Sequence, residues 1–328
     1  MFARLTLIAA ATVAAALPAM AQDYPAANKP ITFVVPYTSG GPTDKAARDL
    51  AQSMSKAMGG VSIVIENATG ASGSIGANKI AKAANDGHSL LFTHIAQATL
   101  PTFLRNIPYK VDTDFEFLGL VSENPMNIIG RPSLPANSLP ELVKWVNDNK
   151  GKVNIGNAGV GSASHMCGML FQSALKVDMT PVPYRGTAPA MTDLIGGQID
   201  LMCDQTTTTS QQVEGKKVKS YAVTTAKRLP AATFKDTPTM QEAGFKDFQI
   251  TIWQGLYAPK GTPAPVLKKL NDALKVAVKD PEFIKKQELG GAVAIIDQRN
   301  EPAGHKAYVA QETAKWTPII KAAGVYAD

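Results

Sequence analysis

The chain has 328 residues, of which 45% are hydrophobic and 18% charged, so it can build two hydrophobic cores but not a string of domains. Its formal net charge is +6, and the basic residues are scattered, with their densest run at residues 216–219 in a region that we interpret as a solvated turn. Nucleic-acid binding would require a basic stripe interleaved with exposed aromatic residues, and the sequence has none. The charge pattern therefore excludes nucleic acid as a partner and favours weak attraction of small anions.

The first 21 residues predict a cleaved signal peptide. Arg4 gives a positive start, residues 5–17 are apolar but shorter than the ~20 residues that span a bilayer as a helix, and Pro18 follows. Residues 19–21 supply the small–x–small pattern of a cleavage site, so we expect the mature chain to begin at Gln22. No cysteine lies near that position, so a lipid-anchored form is not expected. No later apolar run is long enough to span a membrane. We therefore expect an exported, soluble protein.

Short β-rich runs alternate with amphipathic helical patterns along the rest of the chain, which is typical of an α/β protein with largely parallel sheets. Strands are predicted over residues 31–35, 61–66, 89–92, 153–155, 180–182, 199–203 and 221–224. Helices are predicted over residues 43–58, 76–84, 141–149, 165–174, 187–195, 265–279 and 312–323. Proline and glycine separate these elements, as expected where helices and strands end.

Two extended segments, residues 117–130 and 248–258, run apolar without a helical period and bracket a self-contained α/β block. A chain that leaves one domain, builds a second and returns to finish the first needs two such crossings. We therefore predict one domain from residues 22–124 and 246–328 and a second from residues 125–245. This is the layout of a hinged, two-lobed solute receptor.

Three loops that follow predicted strands share one composition, rich in glycine and hydroxyl residues, and each leads into a helix. They cover residues 37–44, 70–76 and 156–165. Ligands of parallel sheets gather beyond the carboxyl ends of the strands, and the free N–H groups and dipole at a helix start bind anions without a cation. We therefore interpret the three loops as one anion site, although each loop alone is also compatible with an ordinary tight turn.

The third loop has other interpretations. A nucleophile elbow has the pattern G-x-S-x-G, whereas the run from Gly161 through Ser162 to His165 has no glycine two residues after the serine. His165 could still act as a base on Ser162 from the first helical turn, so a Ser/His hydrolase remains an alternative, although no third group is identified to orient the base. A phosphate-binding loop would need Gly-Lys-Ser/Thr, and residues 70–76 lack the G-x-G-x-x-G spacing of a dinucleotide site.

Motifs in fixed order along nearly the whole mature chain resemble the extracytoplasmic receptors of tripartite tricarboxylate transporters, the Bug-type (TctC-like) family. The motifs that carry the resemblance include Gly40-Gly41-x-x-Asp44, Gly70-Ala71-x-Gly73-x-Ile75-Gly76, Asp86-Gly87-His88, Gly159-x-Gly161-Ser162-x-x-His165, Val182-Pro183-Tyr184-Arg185-Gly186, Gly196-Gly197-Gln198-Ile199-Asp200 and Pro238-Thr239-x-x-Glu242-Ala243-Gly244. The resemblance implies a type II periplasmic-binding-protein fold, in which two α/β lobes are joined by two extended crossover segments and the ligand lies between them. It also implies a receptor, not an enzyme, that captures a small carboxylate and delivers it to a membrane permease, without a cofactor or metal.

Receptors of this family hold the carboxylate largely through main-chain amides and ordered water. Carried over to this sequence, the resemblance places ligand contacts at Tyr37, Gly40, Gly41, Ser72, Gly73, Ala158, Gly159, Ser162, His165, Arg185 and Asp204, and we add His94.

His94 stands where small or hydroxyl residues are more common, and its protonated form could pair with a second carboxylate. Arg185 stands where lysine is frequent, and its planar guanidinium favours bidentate carboxylate contact. The alternatives are a hydrogen-bonded structural histidine and a surface arginine packed on Tyr184.

Three further residues near the predicted cleft have expected roles. Asp204 would repel an anion, so we expect it to orient Arg185 or a water molecule. Cys167 and Cys203 both lie near the cleft edge of the smaller lobe, and in an oxidising compartment a disulfide between them is expected, with two buried thiols as the alternative. Two cysteines alone cannot form a zinc site.

The identity of the ligand stays open at this level. An aliphatic di- or tricarboxylate is the first expectation, and the apolar loop residues Ile95 and Met126 keep an aromatic acid as the second. A receptor that reports its ligand to a two-component system would have the same sequence features as a transport receptor. We expect a monomer whose two lobes close on the solute like a clamshell.

Overall fold

A computed structural model describes residues 24–324 of the chain. The predicted signal peptide, residues 1–21, and its cleavage site lie outside the described residues. Within residues 24–324, no helix combines the length and the apolar character needed to cross a bilayer.

Ten strands form one mixed sheet in the described part of the chain. They are β1 (Ile31–Val35), β2 (Ile63–Asn67), β3 (Ser89–His94), β4 (Phe115–Gly130), β5 (Asn154–Asn157), β6 (Thr180–Pro183), β7 (Leu201–Gln205), β8 (Lys219–Val223), β9 (Thr251–Pro259) and β10 (Val293–Ala294). Their order is β2-β1-β3-β9-β4-β7-β5-β6, and β8 and β10 also pair with β4. Pairing is parallel between β1 and its neighbours β2 and β3, and between β5 and its neighbours β6 and β7. It is antiparallel wherever β4 or β9 takes part, so the prediction of largely parallel sheets is wrong at the centre.

Helices cover both groups of strands. Within residues 24–324 they are α1 (Pro42–Ala57), α2 (Ser74–Ala81), α3 (Ala96–Phe103), α4 (Val111–Asp114), α5 (Leu139–Asp148), α6 (Ala163–Leu175), α7 (Thr187–Ile195), α8 (Thr206–Glu214), α9 (Ala264–Ala277), α10 (Pro281–Leu289) and α11 (Pro302–Ala323). All seven predicted helices are present with shifted ends, and α11 begins ten residues earlier than predicted. The helices α3, α4, α8 and α10 were not predicted.

The helix α1 shows how the sequence positions the site. Pro42 occupies its first turn, where a missing N–H costs nothing, and apolar residues at helical spacing, among them Leu50 and Met54, are fully buried. That buried face packs in a core cluster that also contains Phe33 of β1 and Leu274 of α9. Burial of this face therefore fixes the start of α1 at the carboxyl end of β1.

The long strands β4 and β9 connect the two groups of strands. Residues 115–125 of β4 pair with β9, and residues 126–130 of the same strand pair with β7 and β8. Both strands are almost entirely buried, which accounts for their continuous apolar sequence. They coincide with the predicted extended segments 117–130 and 248–258, so the predicted architecture of two α/β groups joined by two extended segments is confirmed.

Candidate functional site

The loops at the carboxyl ends of six strands open onto one cavity of about 510 Å³. Strands β1, β2 and β3 end on one side of it and β5, β6 and β7 on the other. We call the lining drawn from residues 36–43, 69–73 and 94 the first wall, and the lining drawn from residues 158–164, 184–187 and 204–205 the second wall. Ligand sites of open α/β sheets lie at this kind of junction.

Ten of the twelve predicted ligand contacts line this cavity, namely Tyr37, Gly41, Ser72, Gly73, His94, Ala158, Gly159, Ser162, Arg185 and Asp204. The other two, Gly40 and His165, are not part of its lining. The lining also includes residues that were not predicted, of which Thr38, Thr43, Thr69, Ser164, Tyr184, Thr187 and Gln205 are polar. Each of these lies where a strand ends or a helix begins, which is the sequence signal that could have found them. The ligand-binding role of all these residues stays a prediction.

Asp44 organises the first wall from behind the cavity. Its carboxylate accepts hydrogen bonds from the Gly40 N–H (2.9 Å), from the Asn67 side chain (2.9 Å) and from the Arg48 guanidinium (2.9 and 3.0 Å). Burial raises the pKa of Asp44, but these hydrogen bonds outweigh burial, and its net pKa lies below the ordinary value. Gly40 therefore serves the loop that carries Tyr37 rather than the cavity itself.

Two contacts join the first wall to the second. Ser72, whose φ is +55°, donates a hydrogen bond from its Oγ to the Val160 carbonyl. Gly186 packs so closely on Thr38 that a Cβ atom at position 186 would overlap the Thr38 side chain, and its φ of +123° also requires glycine. The walls are thus in direct contact in this structure.

Most of the main-chain nitrogens in the glycine-rich loops are already used within the protein. Those with acceptors 2.7–3.3 Å away are the nitrogens of Gly40, Gly41, Gly73, Ala158, Gly159 and Gly161. Their acceptors are loop carbonyls and the side chains of neighbouring residues. These nitrogens shape the loops, and they are not free for an anion in this conformation.

The free donors of the cavity lie instead at the starts of three helices. The first N–H groups of a helix have no acceptor within it, and Thr43 of α1, Ala163 and Ser164 of α6 and Thr187 of α7 all line the cavity. At the start of α6 the Oγ of Ser162 accepts from the His165 N–H (3.2 Å), which leaves the two preceding N–H groups available. Helix starts from both walls therefore converge on one space, and their dipoles favour an anion there.

His165 is turned away from the cavity. Its Nδ1 accepts a hydrogen bond from the Gly161 N–H (3.0 Å), and its ring packs near Phe103, with ring centroids 5.8 Å apart. Burial lowers its pKa to about 4, so the ring is neutral at pH 7. Because the imidazole contacts Gly161 and only the backbone N–H contacts the Ser162 hydroxyl, the Ser/His pair of the hydrolase alternative is not formed.

His94 lines the cavity as a neutral ring. It stacks on Tyr37, with centroids 4.3 Å apart and an interplanar angle of 9°, and its Nδ1 accepts from the Ala96 N–H (3.0 Å). Burial lowers its pKa to about 3, which disfavours the protonated form that was expected to pair with a second carboxylate, and that pairing stays a prediction. The stack instead fixes the Tyr37 ring against Gly73, where a Cβ atom would lie 3.1 Å from the ring.

Arg185 and Asp204 both line the second wall but do not bind each other. Arg185 is exposed, and no hydrogen bond or ion pair joins it to another residue in the described part of the chain. Asp204 is only 2% exposed, and its Oδ1 accepts from the Gln205 N–H (2.8 Å). Burial raises the pKa of Asp204 to about 6, against the opposing effects of that hydrogen bond and of nearby Thr187. Of the two roles expected for Asp204, orientation of Arg185 is therefore wrong for this conformation, and orientation of a water molecule stays a prediction.

A disulfide holds the second wall together. It joins Cys167 of α6 to Cys203 of β7, with their Cα atoms 5.9 Å apart, and both residues are fully buried. Cys203 directly precedes Asp204, and Cys167 lies one turn after Ser164. The bond therefore fixes the start of α6 relative to the end of β7.

The structure bears on the expected aromatic ligand and on metal binding. Ile95 and Met126, which kept an aromatic ligand open, are fully buried and lie outside the cavity lining. Among residues 24–324, no group of three or more His, Cys, Asp or Glu side chains is placed to hold a metal ion.

Comparison with known proteins matches residues 46–325 to the model of the tripartite tricarboxylate transporter family receptor (TctC). The solved periplasmic binding protein BugD is 45% identical, with a TM-score of 0.87, and the match covers 91% of this chain and 99% of that one. MatC from Rhodopseudomonas palustris, solved with bound malate, is 35% identical with a TM-score of 0.82 and coverage of 89% and 98%. R. palustris Rpa4515, solved with adipate, is 31% identical with a TM-score of 0.87 and coverage of 93% and 99%.

These structures share the predicted fold class, so the type II periplasmic-binding-protein fold is confirmed. The family match extends from the first helix of the described structure almost to the carboxyl terminus. The chain therefore belongs to the extracytoplasmic receptors of tripartite tricarboxylate transporters, in the Bug-type family.

Proposed function

We propose that this protein captures a small organic carboxylate in the cavity between its walls and delivers it to the membrane permease of a tripartite tricarboxylate transporter. The observation that carries the proposal is the convergence of three helix starts on one cavity from opposite walls. Such N–H groups bind a carboxylate without a buried cation, and Arg185, the cation of the lining, is exposed.

The energy needed is within reach of these groups. A micromolar Kd corresponds to about −8 kcal/mol, and a hydrogen bond to a charged group contributes roughly 1.5–3 kcal/mol. A few such bonds from Thr43, Ala163, Ser164 and Thr187 supply this energy, less the cost of ordering the ligand and closing the cavity.

Aliphatic dicarboxylates are the ligand class that we favour. The related MatC and Rpa4515 structures hold malate and adipate, which are both aliphatic dicarboxylic acids. The aromatic alternative rested on Ile95 and Met126, which lie outside the lining. A cavity of about 510 Å³ holds a short diacid together with ordered water.

Binding is proposed to be a clamshell closure of residues 22–124 with 246–328 against residues 125–245. Ser72 on Val160 and Thr38 on Gly186 are contacts that form only when these two units meet. A ligand that touches both walls stabilises this closed form in proportion to its greater affinity for it.

The proposal is tested by isothermal titration of the mature protein, residues 22–328, after unfolding and refolding to remove any carried-over ligand. The panel contains mono-, di- and tricarboxylates of graded length and two aromatic acids. We expect saturable, stoichiometric binding of at least one aliphatic diacid with a Kd of about 1 μM or below. Silence across the whole panel would contradict the proposal.

Export and delivery are tested in the producing cell. We expect the protein in the periplasmic fraction with Gln22 at its amino terminus, which mass spectrometry of the intact chain reads directly. Deletion of the receptor gene is expected to abolish uptake of the radiolabelled ligand while leaving the permease in the membrane. Unchanged uptake, together with an altered transcriptional response to the ligand, would favour the sensing role over transport.

A further inference from the structure

The strands β4 and β9 run side by side up to the point where the chain crosses between the two groups of strands. On β4, residues up to Pro125 pair with β9, and residues from Met126 onward pair with β7 and β8. Proline has no N–H to donate to a neighbouring strand, and the β4–β9 register shifts twice before it, between residues 117 and 119 and between residues 120 and 122. Extra residues of this kind bend a strand, so β4 and β9 bend most readily here.

Three polar side chains meet at this crossing, and all three are fully buried: Ser122 and Asn124 of β4 and Gln254 of β9. We call them the hinge network. The Asn124 Nδ2 donates to the Ser122 Oγ (3.3 Å) and to the Ile252 carbonyl (3.3 Å). The Ser122 Oγ donates in turn to the Gln254 Oε1 (3.1 Å). Because the Ile252 carbonyl only accepts, the nitrogen of the Asn124 amide must be the atom that faces it.

Two atoms of the hinge network have no hydrogen-bond partner in the described part of the chain. They are the Gln254 Nε2, which carries two N–H donors, and the Asn124 Oδ1, which is an acceptor. A buried polar atom without a partner destabilises the arrangement that contains it, because it has lost its hydrogen bond to water. Each of the two atoms supplies what the other lacks.

The two unpaired atoms are close enough to meet after a small change in the strands. Gln254 is opposite Ser122, and Ile252 is opposite Asn124, so Gln254 and Asn124 are diagonal neighbours on one face of the sheet. Diagonal neighbours of an antiparallel pair lie about 7–8 Å apart, which long side chains can bridge. A change of twist where β4 leaves β9 therefore suffices to join the two amides.

We propose that the hinge network favours separation of the walls in the ligand-free protein. With the walls in contact, as Ser72 is with Val160, the two amide atoms are unpaired. When the two units rotate apart, the Gln254 Nε2 donates to the Asn124 Oδ1 and both atoms are satisfied. Ligand binding then provides the free energy that holds the walls together, so the empty receptor stays accessible. The proposal rests on the proposed clamshell closure and names the groups that oppose it.

Replacement of the hinge network by apolar side chains of similar shape is the main test. The triple variant Ser122→Ala, Asn124→Leu and Gln254→Met has no amide to leave unpaired, so contact between the walls is no longer disfavoured. We expect the ligand-free variant to have a smaller radius of gyration than the ligand-free wild type in small-angle X-ray scattering. In titrations with L-malate and with adipate, we expect its Kd to be about 10-fold lower.

The single change Ser122→Ala is expected to act in the opposite direction. It removes the hydroxyl that binds both amides while the walls are in contact, and this hydroxyl takes no part in the pair that forms when they separate. We expect Kd for the same two diacids to rise about 5-fold, with the ligand-free radius of gyration unchanged. A general loss of stability, which urea unfolding of each variant measures in parallel, would not give shifts of opposite sign.

Asn78→Leu is the matched control. Asn78 lies on α2, off the crossing strands and outside the cavity lining, and its buried Oδ1 also has no partner among the described residues. Its replacement removes an unpaired amide oxygen of the same kind without touching the hinge network. We expect both Kd values to stay within about 2-fold of wild type and the radius of gyration to be unchanged.

The remaining outcomes separate this proposal from the proposed function. A triple variant that is as extended as the ligand-free wild type, or that shifts Kd in the same direction as Ser122→Ala, would overturn the role of the hinge network and leave the carboxylate receptor intact. If the triple variant does not fold, Ser122→Ala decides, and an unchanged or lower Kd overturns the proposal. If no carboxylate binds, the proposed function fails, and the radius of gyration of the ligand-free proteins still tests the hinge network.

Discussion

The two walls of the cavity differ in how completely the protein satisfies their polar groups. In the first wall no buried side-chain polar atom of the lining lacks a partner among the described residues, and Asp44 alone receives hydrogen bonds from Gly40, Arg48 and Asn67. In the second wall Asp204 and Gln205 each have a buried oxygen without a partner. Buried polar groups with hydrogen-bond partners make a region rigid. Where such partners are missing, a ligand that supplies the hydrogen bonds stabilises the region.

This difference assigns separate tasks to the walls. The first wall keeps its shape without a ligand and presents the start of α1 to any carboxylate. The second wall has two buried oxygens, on Asp204 and Gln205, to which the described part of the chain supplies no hydrogen-bond partner. Variants that change one wall, or the contact between the walls, therefore show how far the other wall depends on it.

Removal of the disulfide is expected to have the largest effect. In the variant Cys167→Ala with Cys203→Ala, a loop of 36 residues is no longer closed, and the free energy of unfolding is expected to fall by about 4 kcal/mol. Urea unfolding of the ligand-free protein measures this, with the wild type in reductant as the control. Coincident unfolding curves for the variant and the oxidised wild type would show that the second wall needs no covalent support.

Acidification tests both walls at once. Burial lowers the pKa of His94 in the first wall to about 3, of His165 beside the second wall to about 4 and of His305 in the core to about 3. The unfolded chain takes up these three protons near pH 6.5 and the native chain does not, so stability falls as the pH drops below 6.5. Asp204 acts in the opposite direction, because its native pKa of about 6 exceeds the unfolded value of 3.8.

On unfolding between about pH 6 and pH 4.5, the three histidines take up three protons and Asp204 releases one. The unfolded chain therefore binds about two protons more than the native chain in this range. We expect the free energy of unfolding to fall by about 2–3 kcal/mol per pH unit in this window. Urea unfolding at pH 7, 6 and 5 measures the slope. In D204N the opposing effect is gone and the slope is expected to steepen, so an equal or shallower slope would argue against a raised pKa at Asp204.

Separation of the walls is expected to cost affinity, in addition to the stability that alanine loses at a positive φ. Gly186→Ala places a methyl group into the Thr38 side chain and is expected to weaken carboxylate binding about 50-fold, or about 2.3 kcal/mol. Gly197→Ala is the matched control, because Gly197 also has a positive φ (+77°) but nothing within 4 Å of a Cβ. A second change, Thr38→Ala, is expected to restore part of the affinity. Equal affinities of the two alanine variants would refute the contact as a determinant of closure.

The smallest effect is expected from the hydrogen bond that bridges the walls. Ser72→Ala removes the donor to the Val160 carbonyl and is expected to weaken binding about 5-fold, or about 1 kcal/mol. Ser39→Ala changes an exposed serine of the neighbouring loop and serves as the control in the same titrations. No change in Ser72→Ala would mean that the bridge exchanges with water at no net cost.

Much of the fold could be predicted from the sequence because its signals are local. The apolar pattern, with proline and glycine at the ends of elements, predicts the succession of strands along the chain. It also predicts the helix Thr187–Ile195 and the two extended segments. The helix Thr206–Glu214 was missed because it begins with four threonines, whose branched side chains disfavour helices in isolation. The helix Ala96–Phe103 was missed because it contains Pro101.

The site was predicted at the level of loops but not of atoms. Composition identified the three glycine-rich loops, and ten of the twelve chosen residues line the cavity. Composition could not reveal that the backbone N–H groups of Gly41, Gly73 and Gly159 donate hydrogen bonds within their own turns, because those bonds depend on the loop conformation. The orientation of His165 depends likewise on one bond to the Gly161 N–H.

The position of β9 has a consequence for the order of synthesis. This strand lies between β3 and β4, yet it begins only at Thr251, long after both neighbours have been made. A nascent chain shorter than about 250 residues therefore leaves both β3 and β4 with a bare edge at the middle of the sheet. The sheet becomes continuous only when about three quarters of the polypeptide has been translated, so the two groups of strands are joined late in synthesis.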